Sequence, residues 1–536
     1  MKKSYLLAGL LSFSMLLVGC GDKNEVVDPE VDPGFNGKME ELTPSKSKTR
    51  LQDVGLEFID AIDAATHENL VEVVAYLEEE LDYLDIDKSY FDKLEELATV
   101  TGGNEEEYYV QTRKANPVQA IQGLMAMSLD AAQNGAQLAT RADDIYMFTL
   151  KAGLKDLYGG FKPNMKYEEW VYDESITDRL EVEFTDDHNQ TWVATLKGGK
   201  ETTRVHLMVE DIYKWEHEYS NGMIDEEGYH DKYDICIDVP KLITFVVKCN
   251  QEEIVNMTVN SSLAFEADIY DNYSVSNKNG YDENGNWYYE NGRESEFKLE
   301  VDYTNLNLDA SLNVNGYAET WKTEANKAGI KSVAEVKIDG KSMLKAEASL
   351  AADVDALIKQ INEANNYSDS NSSKDDNDEY EEDEDFYFLK NTIKSFAMKL
   401  DIMGKAQVYG KCDSFEKMYE ALIDDDKYYD YETDEFDFKE YAKYVDRIND
   451  TYSITVHYDN TKTVQANVEF EAYQWEEDYW GDSYTYHGIR PVLIFAADDS
   501  RYCFEDYFTE TSFSKLIDAV EELTDEFEKM VEDAYN

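Results

Sequence analysis

An alternation of apolar and polar residues, broken by short turn sequences, constrains the fold of this chain more than any other feature. Residues 334–338 alternate between apolar and charged side chains, the pair Asp339-Gly340 follows, and the alternation resumes over 344–350. A period of two places successive side chains on opposite faces of a strand, and Asp-Gly suits the positive φ angles of a two-residue hairpin turn. The segment therefore predicts a β-hairpin with one apolar face and one charged face.

Four more segments have the same plan of two alternating runs around polar turn residues. They span residues 182–196, 245–259, 297–314 and 454–470. Consecutive hairpins build an antiparallel sheet that keeps one face in water. These segments predict extended antiparallel sheets between residue 166 and the C-terminus.

Helical periodicity dominates the N-terminal part of the chain. Apolar residues recur at three-and-four spacing over residues 51–81, and Asn116-Pro117 is a good start for an Ala-rich helix. Three further amphipathic patterns cover residues 354–361, the segment from Ser414, and 513–530. Each of these three follows predicted strands, so each helix could lie across the apolar face of a sheet.

Together the patterns predict an α+β fold, with an N-terminal helical region followed by two antiparallel β-meander lobes that are each covered by helices. The expected divisions are a signal peptide (1–20), a flexible tether (21–50), a helical domain (51–165), a β lobe with its closing helix (166–366), an acidic disordered loop (367–386) and a second β lobe with a C-terminal helix (387–536). An open curved sheet lined by helices is similar in outline to periplasmic lipoprotein carriers. That likeness is one of fold alone, and it implies an apolar ligand on the concave face of the sheet.

The charge of the chain excludes one class of partner. The sequence has 50 Lys and Arg against 115 Asp and Glu, a net charge of −65. Nucleic acid binding needs a basic surface that displaces counterions, so we expect no nucleic acid partner. The acidic tracts 375–385 and 424–437 could bind calcium through carboxylate oxygens, but neither has EF-hand spacing, and solvated loops explain them as well. No other cofactor is expected.

The N-terminus carries the parts of an export signal. Lys2 and Lys3 precede a mostly apolar run over 6–18, which is too short for a comfortable bilayer span. The stretch Leu17-Val18-Gly19-Cys20 resembles the lipobox of bacterial lipoproteins. The resemblance implies that Cys20 is acylated, with palmitate among its chains, and that acyl chains anchor the protein in a membrane. The family's inner-membrane retention signal, an Asp after the cysteine, is absent, which implies the outer membrane, facing either the surface or the periplasm.

The cysteines after Cys20 have no metal-binding spacing. They are Cys236, Cys249, Cys412 and Cys503. An even number in an exported protein permits disulfides, yet a long chain does not need them. Disulfides and buried thiols therefore both remain open.

Two clusters of aromatic residues lie among turn residues and are candidate ligand-binding sites. One consists of Trp287, Tyr288 and Tyr289, and the other contains Trp475, Tyr479 and Trp480. Aromatic rings beside carboxylates suit sugar recognition, because a pyranose offers C–H groups to the ring and hydroxyls to the acid. Packing between neighbouring strands would also explain both clusters.

Signals for catalysis are poor. The seven histidines form no HExxH motif, and neither GxSxG nor GxGxxG occurs. We therefore expect a non-catalytic envelope lipoprotein that binds a glycan or a protein, or acts as a scaffold. One alternative is a carrier of a lipid or another apolar ligand. Another is an unrecognised hydrolase, because 115 acidic residues always supply carboxylate pairs.

Overall fold

The structure is a computed structural model that describes most of the chain after the N-terminal segment. The described residues are 34–535 except 82, 96, 102–144, 220–221, 282–286, 304–305, 370–389, 391, 424–427, 431–434 and 480–481. The predicted lipobox with Cys20, most of the tether, the Ala-rich helix and the tract 375–385 lie outside these residues.

Eight α-helices occur in the described part of the chain. They are α1 (Pro44–Asp60), α2 (Glu68–Glu79), α3 (Lys88–Glu95), α4 (Val354–Asn365), α5 (Phe415–Ile423), α6 (Phe438–Asn449), α7 (Phe504–Tyr507) and α8 (Glu510–Ala534). Short 3₁₀ helices span Ala64–His67 and Leu154–Leu157. Asp353 and Asp437 cap α4 and α6 by accepting bonds from first-turn amides, as short polar side chains at helix starts do.

The largest sheet in the described part of the chain has seventeen strands. Its strands are β1 (Asp85–Ile86), β4 (Gly159–Asn164), β5 (Glu169–Asp173), β6 (Leu180–Thr185), β7 (Thr191–Gly198), β10 (Leu242–Cys249), β11 (Glu252–Ser262), β14 (Leu306–Val314), β15 (Tyr317–Asn326), β16 (Gly329–Ile338), β17 (Lys341–Ala352), β19 (Ile393–Ile402), β20 (Ala406–Cys412), β23 (Ser453–Tyr458), β24 (Ala466–Tyr479), β25 (Asp482–Phe495) and β26 (Arg501–Cys503). Strand pairing runs from β26 through β25, β24, β23, β20, β19, β17, β16, β15, β14, β11, β10, β7, β6, β4 and β5 to β1. Only the β4–β6 and β1–β5 pairs are parallel.

Two long hairpins leave this meander and build a second sheet of seven strands. Its strands are β2 (Ala98–Thr101), β3 (Ile145–Gly153), β8 (Thr202–Glu218), β9 (Ile224–Pro240), β12 (Phe265–Tyr281), β13 (Trp287–Tyr303) and β18 (Tyr367–Asp369), in the spatial order β18-β13-β12-β8-β9-β3-β2. The hairpin β8–β9 emerges between β7 and β10, and β12–β13 emerges between β11 and β14. A two-stranded sheet pairs β21 (Tyr429–Asp430) with β22 (Glu435–Phe436).

Helices cover two separate parts of the apolar face of the large sheet. Near one end of the sheet, Leu51 and Val54 of α1 pack with Ala406 of β20 and with Val456 and Tyr458 of β23. At the other end, α2 and α3 pack on a cluster that contains the buried side chains of Phe161, Trp170 and Trp192. The long helix α8 contacts both α1 and α2. Burial of large aromatic side chains under α2 and α3 makes this end a principal core of the protein.

Two asparagine side chains at the C-terminal end of α4 form hydrogen bonds to the backbone at the edge of β13. Asn362 of α4 accepts a bond from the Leu299 amide at 2.6 Å and donates to the Leu299 carbonyl at 3.0 Å. One helical turn later, Asn366 bonds the amide and carbonyl of Phe297 in the same way, at 2.8 and 2.6 Å. The two amide side chains thus pair backbone N–H and C=O groups that would otherwise lack hydrogen-bond partners at the edge of the sheet.

The predicted fold class is wrong. Of the described residues, 54% lie in strands and 26% in helices, and the strands form two large mixed sheets rather than two antiparallel lobes each covered by helices. Residues 145–164, assigned to the helical region, form β3 and β4, whereas α1, α2 and α3 are helical as expected. β17 and β19 pair across the segment predicted to separate the lobes, so one sheet continues through it.

Most of the predicted hairpins are confirmed, and one is wrong. The pairs β6–β7, β10–β11, β16–β17 and β23–β24 form as expected, and both turn residues Asp339 and Gly340 have positive φ. The expected hairpin of 297–314 does not form, because β13 pairs with β12 and β14 pairs with β11. β13 ends at Tyr303 in the second sheet, and β14 begins at Leu306 in the large sheet.

The four described cysteines are free thiols. Cys249 donates to Gln190 Oε1 at 2.8 Å, and Cys503 donates to Asp506 Oδ2 at 3.0 Å. The question that the sequence left open is thus answered in favour of thiols. None of the described helices has the length and apolarity to cross a membrane.

Candidate functional site

Strands β24 and β25 form a ribbon that extends beyond the strands beside it. They pair from Ala466 opposite Phe495 to Tyr479 opposite Asp482. β23 pairs only with residues 466–468 of this hairpin, and β26 pairs only with 492–494. We call residues 469–479 and 482–491 the aromatic ribbon. In the described chain, no other strand is hydrogen-bonded to it.

One face of the aromatic ribbon is covered by α6 and the segment before it. The His487 ring stacks on Phe436 with centroids 3.8 Å apart. Asn449 of α6 donates to the Phe470 carbonyl at 2.7 Å and accepts from the Phe470 amide at 2.9 Å. These contacts hold the ribbon from one side. On the opposite face Tyr486 is exposed, whereas Tyr473 and Trp475 are half-buried.

The opposite face carries three stacked aromatic rings. The Tyr473 and Trp475 centroids are 5.0 Å apart with planes at 17°, and Trp475 and Tyr486 are 5.5 Å apart at 22°. A Cβ at Gly488 would lie 3.1 Å from Tyr473 Cε1 and 3.3 Å from Trp475 Cζ3. Glycine therefore lets both rings lie over the neighbouring strand. Tyr486 is 39% exposed, so the row of rings reaches the surface.

Charged groups flank the stacked rings at both ends. The guanidinium of Arg490 lies 5.3 Å from the Tyr473 centroid and donates from Nε to Glu471 Oε1 at 3.0 Å. This hydrogen bond to Glu471 raises the pKa of Arg490. At the other end, Trp475 Nε1 donates to Glu477 Oε1 at 3.0 Å. The surface thus combines flat apolar rings with fixed carboxylates and one cation, which is a combination suited to polyhydroxylated ligands.

The structure separates the two aromatic clusters predicted from the sequence. Trp475 is the middle ring of the stack, Tyr479 is the last residue of β24, and Trp480 lies outside the described residues. Trp287 and Tyr288 begin β13 in the second sheet, where Trp287 is 56% exposed and the Tyr288 ring lies over Gly280. Tyr289 follows in β13, and only its backbone is described. The two clusters belong to different sheets.

Sequence reasoning missed a row of three aspartates in the second sheet. Asp231, Asp211 and Asp271 stand directly opposite one another on β9, β8 and β12. Two residues along each strand, Tyr229, Tyr213 and Tyr273 form a parallel stacked row, with centroids 5.6 and 5.9 Å apart. The repeated pair of Asp and Tyr two positions apart was a signal in the sequence. Only the strand registers show that the three copies are neighbours.

Burial raises the pKa values of this carboxylate row. Asp231 is 1% exposed, and burial together with the charge of Asp211 raises its pKa to about 6. Burial also raises the pKa of Asp211, with the charge of Asp271 adding to it. The Tyr233 hydroxyl donates to Asp231 Oδ2 at 3.4 Å, while Oδ1 has no hydrogen-bond partner within the described chain. Asp231 is too enclosed to meet a substrate.

Metal ligands do not converge in the part of the chain that the structure describes. No group of three His, Cys, Asp or Glu side chains there could hold a metal ion. The second acidic tract, 424–437, is only partly described and includes β21 and β22. The best-defined depressions among the described residues are open and run along α4 and α8, lined mainly by charged and polar side chains.

Comparisons with known proteins identify no relative. No family model, curated protein or solved structure matches the chain.

Proposed function

We propose that this protein is a non-catalytic cell-envelope lipoprotein that binds a glycan on the aromatic ribbon. Support comes from one observation: the partly exposed stack of Tyr473, Trp475 and Tyr486, flanked by charged groups on a two-stranded projection. A pyranose ring can lie against such a stack with its C–H groups on the aromatic faces. Its hydroxyls can then donate to the carboxylates of Glu471 and Glu477.

The geometry of the ribbon favours binding over a purely structural role for the rings. Aromatic rings with a purely structural role are covered by other elements on their outer side. The stacked rings instead lie on the face of the ribbon opposite to the face that α6 covers. The rings are fixed by stacking and by the bond from Trp475 to Glu477, so little conformational entropy is lost when a ligand binds. A protein ligand with a flat polar surface could use the same features.

Titration of tryptophan fluorescence with a panel of bacterial cell-wall and host oligosaccharides tests glycan binding. We expect a saturable response that Trp475→Ala abolishes. Tyr167→Ala is the matched control, because Tyr167 is an aromatic residue with 62% exposure outside the ribbon. Absence of any response, or a response that survives in Trp475→Ala, would contradict the proposal.

The proposed anchor has its own test. The lipobox resemblance supports acylation of Cys20, which would attach the protein to the outer membrane. We expect Cys20→Ser to abolish incorporation of labelled palmitate and to move the protein out of the membrane fraction. Unchanged labelling and fractionation would refute the anchor without affecting the glycan proposal.

A carrier of an apolar ligand is the second candidate, supported by exposed apolar residues in the middle of the large sheet. Met398 is 52% exposed, and Ala346 and Ala348 are exposed on the same face. This part of the face lies between the two parts that helices cover. Native mass spectrometry of unacylated protein should find a co-purifying lipid if the carrier proposal holds. Ligand-free protein in that measurement would remove it.

A further inference from the structure

The carboxyls of Asp231, Asp211 and Asp271, here called the aspartate row, lie on three neighbouring strands of the second sheet. Asp231 is the direct partner of Asp211 across the antiparallel pair β9–β8. Asp211 is in turn the direct partner of Asp271 across the parallel pair β8–β12. Direct partners place their side chains on the same face of a sheet, on the order of 5 Å apart. Like charges in such positions oppose strand pairing, so ionisation of the row works against the sheet at this line.

Rows of larger side chains on both sides shield the aspartate row from water. On the side nearer the start of β8, the neighbouring row on the same face is Tyr233, Val209 and Ile269. On the other side are the stacked rings of Tyr229, Tyr213 and Tyr273. Shielding is most complete at Asp231, which is 1% exposed and whose Oδ1 has no hydrogen-bond partner within the described chain. A negative charge at this carboxyl therefore lacks hydration, which is costly.

The described groups that face the aspartate row are neutral. The titratable ones are Tyr229 and Tyr233 of β9, Tyr213 of β8, Tyr273 of β12 and Tyr146 of β3. Tyr233 donates to Asp231 at 3.4 Å and Tyr229 to Asp211 at 3.3 Å, while β13 places Phe297 opposite Asp271. His230 follows Tyr229 in sequence but lies on the opposite face, where its Nε2 is 2.8 Å from a glutamate carboxylate. Hydrogen bonds from phenols thus support the row without cancelling its charge.

The two strand contacts of β8 differ in how easily they separate. Burial and neighbouring carboxylates raise the pKa of Asp231 to about 6 and also raise the pKa of Asp211, so the row gains charge as the pH approaches neutrality. β8 and β9 form one hairpin, whereas β8 and β12 belong to different hairpins. Repulsion across the row therefore acts most effectively on the β8–β12 contact.

We propose that the aspartate row is a pH-sensitive joint between the two long hairpins. With the row protonated, β8 and β12 stay paired to their last partners, Glu218 and Lys278. With the row ionised, residues 271–278 of β12 part from residues 211–218 of β8. The row of Val209 and Ile269 keeps the strands together on the other side. This joint goes beyond the proposed function and requires neither glycan binding nor acylation of Cys20.

Amide hydrogen exchange of the full chain at pH 5 and pH 8 tests the joint, with labelling times scaled to the intrinsic exchange rate at each pH. Opening that exposes Asp231 to water returns its pKa from about 6 to 3.8, so protection of 211–218 and 271–278 should fall about tenfold between the two pH values. Asp231→Asn should lose this change, and Asp211→Asn should reduce it. Asp268→Asn is the matched control and should keep it, because Asp268 is exposed on the opposite face of β12.

A reversible crosslink shows which strands part. The Nζ of Lys278 lies 2.9 Å from the Oε2 of Glu218, so Glu218→Cys/Lys278→Cys places two thiols on directly opposite residues. The oxidised double variant should keep its protection of 271–278 at pH 8, and reduction should restore the change.

Four results would overturn the proposal. Protection of the two segments could be equal at both pH values, or it could fall equally in β16–β17, which indicates global unfolding. The change could persist in Asp231→Asn, or it could persist with the crosslink closed. Each of these results would separate the pH response from the aspartate row or from the β8–β12 contact.

Discussion

Replacing Asp231 with Asn should remove a specific dependence of stability on pH. The pKa of this buried carboxyl is raised from 3.8 to about 6, with burial as the main cause and Asp211 as the second. Between these values the unfolded chain ionises at this residue while the folded chain keeps its proton. Folding stability contributed by Asp231 is therefore complete below pH 3.8 and is lost as the pH rises to 6 and beyond.

The magnitude follows from the same two values. The difference between 3.8 and about 6 corresponds to about 3 kcal/mol of stability lost across that interval. Asn cannot ionise, so the variant should lack this loss. Other carboxyls add their own slopes, and the informative quantity is the difference between the variant and the unmodified protein at each pH.

Chemical denaturation at a series of pH values from 4 to 8 measures that difference. From pH 4 to pH 8, the free energy of unfolding of Asp231→Asn should rise by about 3 kcal/mol relative to that of the unmodified protein. Asp173→Asn is the control, because bonds from Ser175 lower the pKa of this exposed carboxyl below 3.8, and the difference for this variant should stay nearly flat from pH 4 to 8. A difference for Asp231→Asn that is flat with pH would refute the raised pKa and the burial that causes it.

Three more substitutions test other features of the structure. Hydrogen bonds to two carboxylates, first Asp234 and then Glu266, raise the pKa of His206. The stabilisation that His206 contributes is therefore complete below pH 6.5 and is lost at higher pH. The melting temperature of His206→Ala should fall less steeply with rising pH than that of the unmodified protein. Gly488→Val should displace the stacked rings, costing about 1–3 kcal/mol in denaturation and eliminating the glycan response. Asn362→Ala removes two bonds to the β13 edge and should cost about 1–2 kcal/mol, with faster amide exchange in β13.

Local patterns predicted the hairpins well, because their determinants are short in sequence. Alternation fixes which side chains face the core, and Asp339-Gly340 fixes the turn, so β16–β17 needs no distant information. The same reasoning failed for 297–314, where two alternating runs separated by a short connection enter different sheets. Sequential strands usually pair, and here tertiary pairing with β12 and β11 prevails over that tendency.

The candidate site was predictable only in part for the same reason. Trp475 stood out because aromatic residues cluster around it, and the hairpin brings them together locally. The row of Asp211, Asp231 and Asp271 depends on β8 and β12 lying side by side in parallel, although residues 219–264 separate them in the chain. Periodicity carries no information about such a register.

A glycan array probed with the purified protein and two variants of one residue tests the central claim most directly. We predict that the unmodified protein and Trp475→Phe, which keeps an aromatic face in the stack, bind the same glycans. We also predict that Trp475→Ala, at equal concentration and with the same circular dichroism spectrum, binds none of them. An unchanged glycan profile for Trp475→Ala would contradict binding on the aromatic ribbon.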